Sequence, residues 1–237
     1  MIEIIPAILP KNIEDLKEKL ALVAGAVSSV QIDVCDGKFS PEQSWPFQGD
    51  GFDPAFLEII REESGLPNWI DFDFEIDLMV NEPAKQIEKW IRAEVKRIIF
   101  HIETLTGKDD FEKIKKIVNK RAEIGIAIDI KTPLEPAETL LEEIVCLQFM
   151  GIDKDGFQGQ KFNPDILLRI KKFKQKHPKS LVSVDGGIKL ENAEEIIEAG
   201  ASRLVVGSAL FESGDILGNI KKLKNCGKTI AGSKAMI

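Results

Sequence analysis

The sequence predicts an α/β chain folded as a (β/α)8 barrel, and three observations carry that reading. Apolar strand-like runs alternate with amphipathic helical runs eight times over. The chain has 237 residues, long for two small domains but ordinary for one barrel of about 250. Two late strand-like runs stop abruptly in glycine, at Val184-Asp185-Gly186-Gly187 and at Val206-Gly207-Ser208.

The predicted strands are 2–9, 28–34, 71–79, 97–101, 125–129, 144–150, 180–184 and 203–207. The predicted helices are 11–24, 53–64, 83–92, 109–122, 134–141, 163–176, 190–199 and 216–225. Strict alternation implies parallel strands joined by right-handed crossovers. Helix starts carry the expected signals: Asn12 at the first, Pro83 in the third, Asp109-Asp110 in the fourth and Asn163-Pro164 at the sixth. In the second, Phe56, Ile59 and Ile60 recur at one-face spacing, as in a barrel's outer layer. No linker or composition break interrupts the pattern, so 1–237 reads as one domain, with 226–237 a weakly ordered tail that carries Gly227, Gly232 and Ser233. The one irregular stretch is 37–52, which carries Phe39, Trp45 and Phe47 after the second strand. Loops longer than about twelve residues are often functional. Cover for the site and surface decoration are both open readings of it.

Composition narrows the function classes. A net charge of −7 with no concentrated basic face argues against nucleic acid. No apolar run approaches a membrane span. Three cysteines without CxxC spacing argue against a disulfide framework, and with no signal-peptide pattern at the start the expected location is cytoplasmic. Barrels of this type often form homo-oligomers through outer helices, but no apolar stripe here selects one.

The chemistry concentrates at strand ends. A glycine pair lets backbone approach a ligand closely. Two such turns on neighbouring strands make a nest of N–H donors suited to a phosphate. Asp33, Asp77 and Asp185 sit at matching places in their strands, and alternation puts Gln31 on the same face as Asp33. An acidic residue inside an apolar strand is costly unless it is paired, solvated or metal-bound. Strand-end capping is the plain alternative for any one of them. Two carboxyl groups on opposite sides of a bound sugar can epimerise it, one removing a proton beside a carbonyl and the other returning one to the opposite face.

Six segments extend the picture: Ile5-Pro6-Ala7-Ile8-Leu9, Asp33-Val34-Cys35-Asp36-Gly37-Lys38-Phe39, Leu78-Met79-Val80-Asn81-Glu82-Pro83, Gly156-Phe157-Gln158-Gly159-Gln160-Lys161-Phe162, Val184-Asp185-Gly186-Gly187-Ile188 and Gly207-Ser208-Ala209. In order and spacing they resemble the ribulose-phosphate 3-epimerase family, up to about residue 225. The resemblance implies a barrel of the ribulose-phosphate-binding type that interconverts ribulose 5-phosphate and xylulose 5-phosphate at C3 with a divalent metal. It makes Asp33 and Asp185 the acid/base pair. It makes Gly156, Phe157, Gln158, Gly159, Gly186, Gly187, Gly207 and Ser208 the phosphate cradle. Met79 and Met150 match positions where the family places sulfur beside the intermediate, although ordinary core filling explains them equally. His101 also fits the pattern and reads as a structural or supporting residue.

The departures are specific. The family has histidine ligands where this chain has Gln31 and Asp77, serine at Ala7 and methionine at Cys35. The expected metal set is therefore Gln31, Asp33, Asp77 and Asp185, an all-oxygen group that suits Mg²⁺ or Mn²⁺ better than Zn²⁺. Three carboxylates with a divalent ion leave one negative charge, so weakened, retuned or absent metal binding is expected. Without metal, one of the three carboxyl pKa values should rise. Two other readings stay open: an epimerase, isomerase or aldolase for another ketose phosphate, and a non-catalytic phosphosugar-binding barrel. The related decarboxylases and hexulose-phosphate synthases use an Asp-x-Lys-x-x-Asp run on strand three. Here that strand reads Asp73-Phe74-Glu75-Ile76-Asp77, with no lysine.

Overall fold

Eight parallel strands close on themselves in the computed structural model, which describes residues 2–153, 156 and 159–234. The barrel strands are β1 (Glu3–Ile8), β2 (Ser29–Cys35), β3 (Asp73–Met79), β4 (Arg97–His101), β5 (Glu123–Ile128), β6 (Cys146–Met150), β7 (Val182–Asp185) and β8 (Arg203–Val206). Each pairs with its sequence neighbours, and β1 closes the ring by pairing with β8 at Ile4↔Leu204. All eight lie where the apolar runs predict them. The helices are α1 (Ile13–Val23), α2 (Pro54–Ile60), α3 (Ile87–Arg92), α4 (Lys108–Val118), α5 (Glu135–Glu138), α6 (Asp165–Lys176), α7 (Leu190–Ala199), α8 (Ser208–Phe211) and α9 (Ile216–Lys234).

Local chemistry explains the helix boundaries. Asn12 caps α1 by accepting from the Asp15 N–H at 2.8 Å, and Asp53 caps α2 by accepting from Ala55 N–H at 2.9 Å. In α1 the residues Ile13, Leu16, Leu20 and Val23 are buried, each contributing about 1.5–3 kcal/mol against exposure. Three helices stop earlier than the sequence predicts. Beyond α2, Glu62 is left-handed (φ 62°), and α4 ends on left-handed Asn119 (φ 45°) and Lys120 (φ 61°). After a single turn of α5, Leu140 N–H bonds Ala137 O in a tighter turn. In the other direction, α9 runs on through Lys234, past the predicted helix end at 225. The sequence reading missed α8, which starts directly at the second glycine turn, and a small hairpin pairing Phe47–Gln48 with Gly51–Phe52.

Side chains fill the barrel in layers because alternate residues of each strand face inward. The lowest part holds an ion network that the sequence reading missed. Arg203 Nη2 lies 2.5 Å from Glu75 Oε2, and its Nε lies 2.9 Å from Glu3 Oε2. Arg97 bridges Glu75 (2.9 Å) and Glu123 (2.6 Å). Burial works against the Arg203 charge, but Glu75, Cys146 and Glu3 outweigh it and push its pKa above the ordinary value. Opposite charges therefore plug one end of the barrel, and the aspartates meet at the other.

Candidate active site

Asp33 lies near the end of β2, Asp77 near the end of β3 and Asp185 at the end of β7, so strand direction brings all three to one mouth. Each offers a carboxylate oxygen, and these three oxygens lie within 4.8 Å of one another. Asp77 is fully buried, Asp33 nearly so, and Asp185 is half-buried toward the cleft. Gln31 joins two of them: its Nε2 donates to Asp33 Oδ1 and to Asp185 Oδ2, both at 2.7 Å. The amide thus presents nitrogen to the carboxylates, where the sequence reading expected oxygen.

A second glutamine, absent from that reading, completes the arrangement. Gln148 on β6 donates from Nε2 to Asp77 Oδ2 at 3.1 Å and to Asp185 Oδ2 at 3.3 Å. The signal was present in Cys146-Leu147-Gln148-Phe149-Met150, a lone polar residue two places before Met150, which mirrors Gln31 before Asp33. His101, fully buried at the end of β4, places Nε2 3.2 Å from Asp77 Oδ1, and Phe39 packs on its ring at 4.9 Å between centroids.

The cluster shifts its own proton affinity. Burial, then the Asp185 and Asp77 charges, hold Asp33 well above the usual carboxylate range, while the Gln31 hydrogen bond pulls the other way. Next to it, burial pushes the Cys35 thiol up to about 12, with Sγ lying 3.9 Å from Met79 Sδ.

A cleft opens above the carboxyl groups. Asp33, Met79, Met150 and Asp185 form its floor, and Gly156, Gly159, Gly186, Gly187, Gly207 and Ser208 line it. Gly186 and Gly187 have φ of 104° and 66°, and a Cβ on Gly187 would fall 2.5 Å from Phe162 N. Glycine is therefore required where the backbone of this turn passes the loop before α6. Phe157 and Gln158 lie outside the described residues.

Loop 37–52 divides its labour. Asp36 accepts from Lys38 N and Phe39 N (2.8 and 2.9 Å), and its other oxygen accepts from Asn81 N at 3.0 Å. Phe39 is thereby set over His101 at the mouth. Ser44 ties the loop to β2, donating to Asp33 O and accepting from Cys35 N, both at 2.9 Å. Trp45 turns the other way and is buried against Phe56 and Trp90 on the outer flank.

The model of the ribulose-phosphate 3 epimerase family matches residues 3–211. This chain belongs to that family. Ribulose-phosphate 3-epimerase of Bacillus subtilis (strain 168) is 29% identical over 221 residues, which cover 91% of this chain and 94% of the relative. The protein of that name from Methanocaldococcus jannaschii is 31% identical over 230 residues, covering 94% and 90%. Family membership supports an epimerase activity. Among solved structures, 3-keto-L-gulonate-6-phosphate decarboxylase from Vibrio cholerae aligns with a TM-score of 0.68 at 14% identity, covering 97% of this chain and 99% of that one. 3-hexulose-6-phosphate synthase from Salmonella typhimurium aligns at 0.67 and 15%, covering 96% and 99%. At such identity these two show the shared barrel alone. Among the described residues, no helix is long and apolar enough to cross a membrane.

The oxygen donors suit the metal that the family implies. Three carboxylates converge, and the buried Gln31 Oε1 has no hydrogen-bond partner. A divalent ion that takes oxygen ligands fits this donor set.

Proposed function

We propose that this chain interconverts ribulose 5-phosphate and xylulose 5-phosphate by proton transfer at C3, with Asp33 and Asp185 as the acid/base pair. One observation carries the proposal. The two carboxyl groups come from β2 and β7, share one amide donor at 2.7 Å each, and form the floor of a cleft lined by the glycine turns. A sugar phosphate held at those turns by backbone N–H groups has its C2 carbonyl and C3 directed down toward the floor.

One aspartate, ionised, takes the C3 proton; the other, protonated, returns a proton to the opposite face. Like charges at this spacing resist joint ionisation, so one proton shared among the cluster is the natural resting state. The raised proton affinity of Asp33 suits it to hold that proton, leaving Asp185 as the first base in one direction and the roles reversed in the other. Met79 and Met150 close the floor with apolar, polarisable surface that excludes water from the carbanion-like centre. Phe39 over His101 covers part of the mouth. Asp33, Asp77 and Asp185 would hold a divalent ion, whose chemistry when bound is to offset negative charge at the carbonyl oxygen.

Chelator-treated protein, assayed for xylulose 5-phosphate formation with Mg²⁺, Mn²⁺, Fe²⁺ or Zn²⁺ restored in turn, tests this directly. Turnover that both Asp33→Asn and Asp185→Asn reduce by several orders of magnitude is expected. No turnover with any ion would contradict the reading, and turnover of a different ketose phosphate instead would move it to that substrate.

A further inference from the structure

Beneath the aspartates, four buried side-chain oxygens lack a hydrogen-bond partner: Gln31 Oε1, Gln148 Oε1, Glu75 Oε1 and Ser183 Oγ. Their placement is paired. Gln31 on β2 stands opposite Glu75 on β3 in strand register, and Gln148 on β6 stands opposite Ser183 on β7. All four side chains are at most 3% exposed. Alternation from Asp33, Asp77, Met150 and Asp185 puts each of them on the inward face, one step below the mouth.

Each glutamine spends both hydrogens of its NH₂ on carboxylates above it, Gln31 on Asp33 and Asp185, Gln148 on Asp77 and Asp185. The oxygen, on the other arm of the same planar group, is directed away from them. Half a turn about the last side-chain bond exchanges donor for acceptor and leaves the shape unchanged. After that turn each amide shows oxygen to the carboxylate cluster and presents its NH₂ on the side of the barrel interior where a strand neighbour, Glu75 for Gln31 and Ser183 for Gln148, carries an oxygen without a partner. A buried acceptor beside each glutamine is what a reversible pair needs and a fixed pair does not.

The geometry points to Gln148 as a further ligand of the ion site, acting with Gln31 as a pair of amides that turn over when a divalent cation binds. This rests on reading the three aspartates as that ion's carboxylate ligands. Without the ion, the NH₂ groups hold the carboxylates together. With it, the two amide oxygens join three carboxylate oxygens, approaching the six-oxygen shell that Mg²⁺ and Mn²⁺ prefer, and the NH₂ groups pass to Glu75 and Ser183. Two neutral ligands add no charge to a set that already carries one negative charge too many.

The test is Mn²⁺ titration of chelator-treated protein, with free Mn²⁺ followed by its electron paramagnetic resonance signal. Wild type, Gln148→Met and Ser183→Ala are compared, and circular dichroism melts in chelator check folding. Wild type should bind one Mn²⁺, and Gln148→Met should bind it at least tenfold more weakly. Ser183→Ala, which removes only the acceptor for the turned amide, should weaken binding by roughly three- to tenfold while melting like wild type in chelator. If Gln148→Met fails to fold, the Ser183→Ala result decides. Binding within twofold of wild type in the folded variants would overturn the proposal. So would a wild type that binds no Mn²⁺, and if that protein still converts ribulose 5-phosphate, the epimerase reading survives alone. The expected affinity pattern without any turnover would keep the amide pair and remove the epimerase reading.

Discussion

Replacing Asp33 with asparagine should stabilise the ion-free protein while abolishing its chemistry. Ionised Asp33 faces the carboxylates of Asp77 and Asp185, with oxygens of all three within 4.8 Å. At an effective dielectric constant of about 20, each fully ionised pair at that distance costs about 3 kcal/mol. The Gln31 hydrogen bond and retention of a proton offset much of this, which leaves a net gain for Asp33→Asn of about 1–3 kcal/mol. In a chain of this size that raises Tm by about 2–10 °C. The pH dependence fixes the sign. Asp33 binds its proton more tightly folded than unfolded, so its contribution favours the folded state at acid pH. That contribution disappears as pH rises from the ordinary carboxylate range through the raised folded-state value. In thermal melts with chelator, the advantage of Asp33→Asn over wild type should therefore be smallest near pH 4, at the ordinary carboxylate value, and should grow as the pH is raised toward 8.5. An Asp33→Asn protein that is less stable at pH 8.5, or whose advantage does not change with pH, would refute this electrostatic account.

Three further outcomes follow from the same structure. Arg203→Met strips one partner from buried Glu75, and leaving a buried charge short of its partner costs about 3–5 kcal/mol, a Tm loss of roughly 10 °C in thermal melts. Gly187→Ala forces a Cβ to within 2.5 Å of Phe162 N at a positive φ, so KM for the sugar phosphate should rise at least tenfold and Tm should fall; an unchanged KM would remove this turn from the phosphate cradle. The Cys35 thiol, raised to about 12 and fully buried, should resist iodoacetamide at pH 8 while Cys226 is modified, as read by peptide mass spectrometry.

The fold was legible because parallel barrel strands are covered on both faces and so stand out as apolar runs. The boundaries missed were those set by single backbone geometries: left-handed Glu62 and Asn119, which no periodicity announces. The one-turn helix α8 is too short to show a periodic face. At the site, Asp33 and Asp185 could be read because a carboxylate in an apolar strand is costly, and the glycines because they end strands abruptly. Gln148 carries the same kind of signal more weakly, because a neutral amide in an apolar strand is less costly to bury than a carboxylate. Arg203 and Glu75 occupy apolar strands too, but their pairing joins residues 128 positions apart and becomes visible only once the barrel closes. The orientation of the Gln31 amide depends on which of its arms the neighbouring carboxylates call for, a question settled by packing across strands.

The central claim is that carboxyl groups at positions 33 and 185 work on opposite faces of C3 in a phosphate-anchored ketose. Incubation with ribulose 5-phosphate in deuterated water, followed by proton NMR at C3, measures that step without depending on product release. The account predicts deuterium at C3 of both epimers with wild type, and no exchange with Asp185→Asn although the variant still binds the sugar phosphate. Binding of ribulose 5-phosphate by wild type with no loss of the C3 proton, or exchange that persists undiminished in Asp185→Asn, would contradict it.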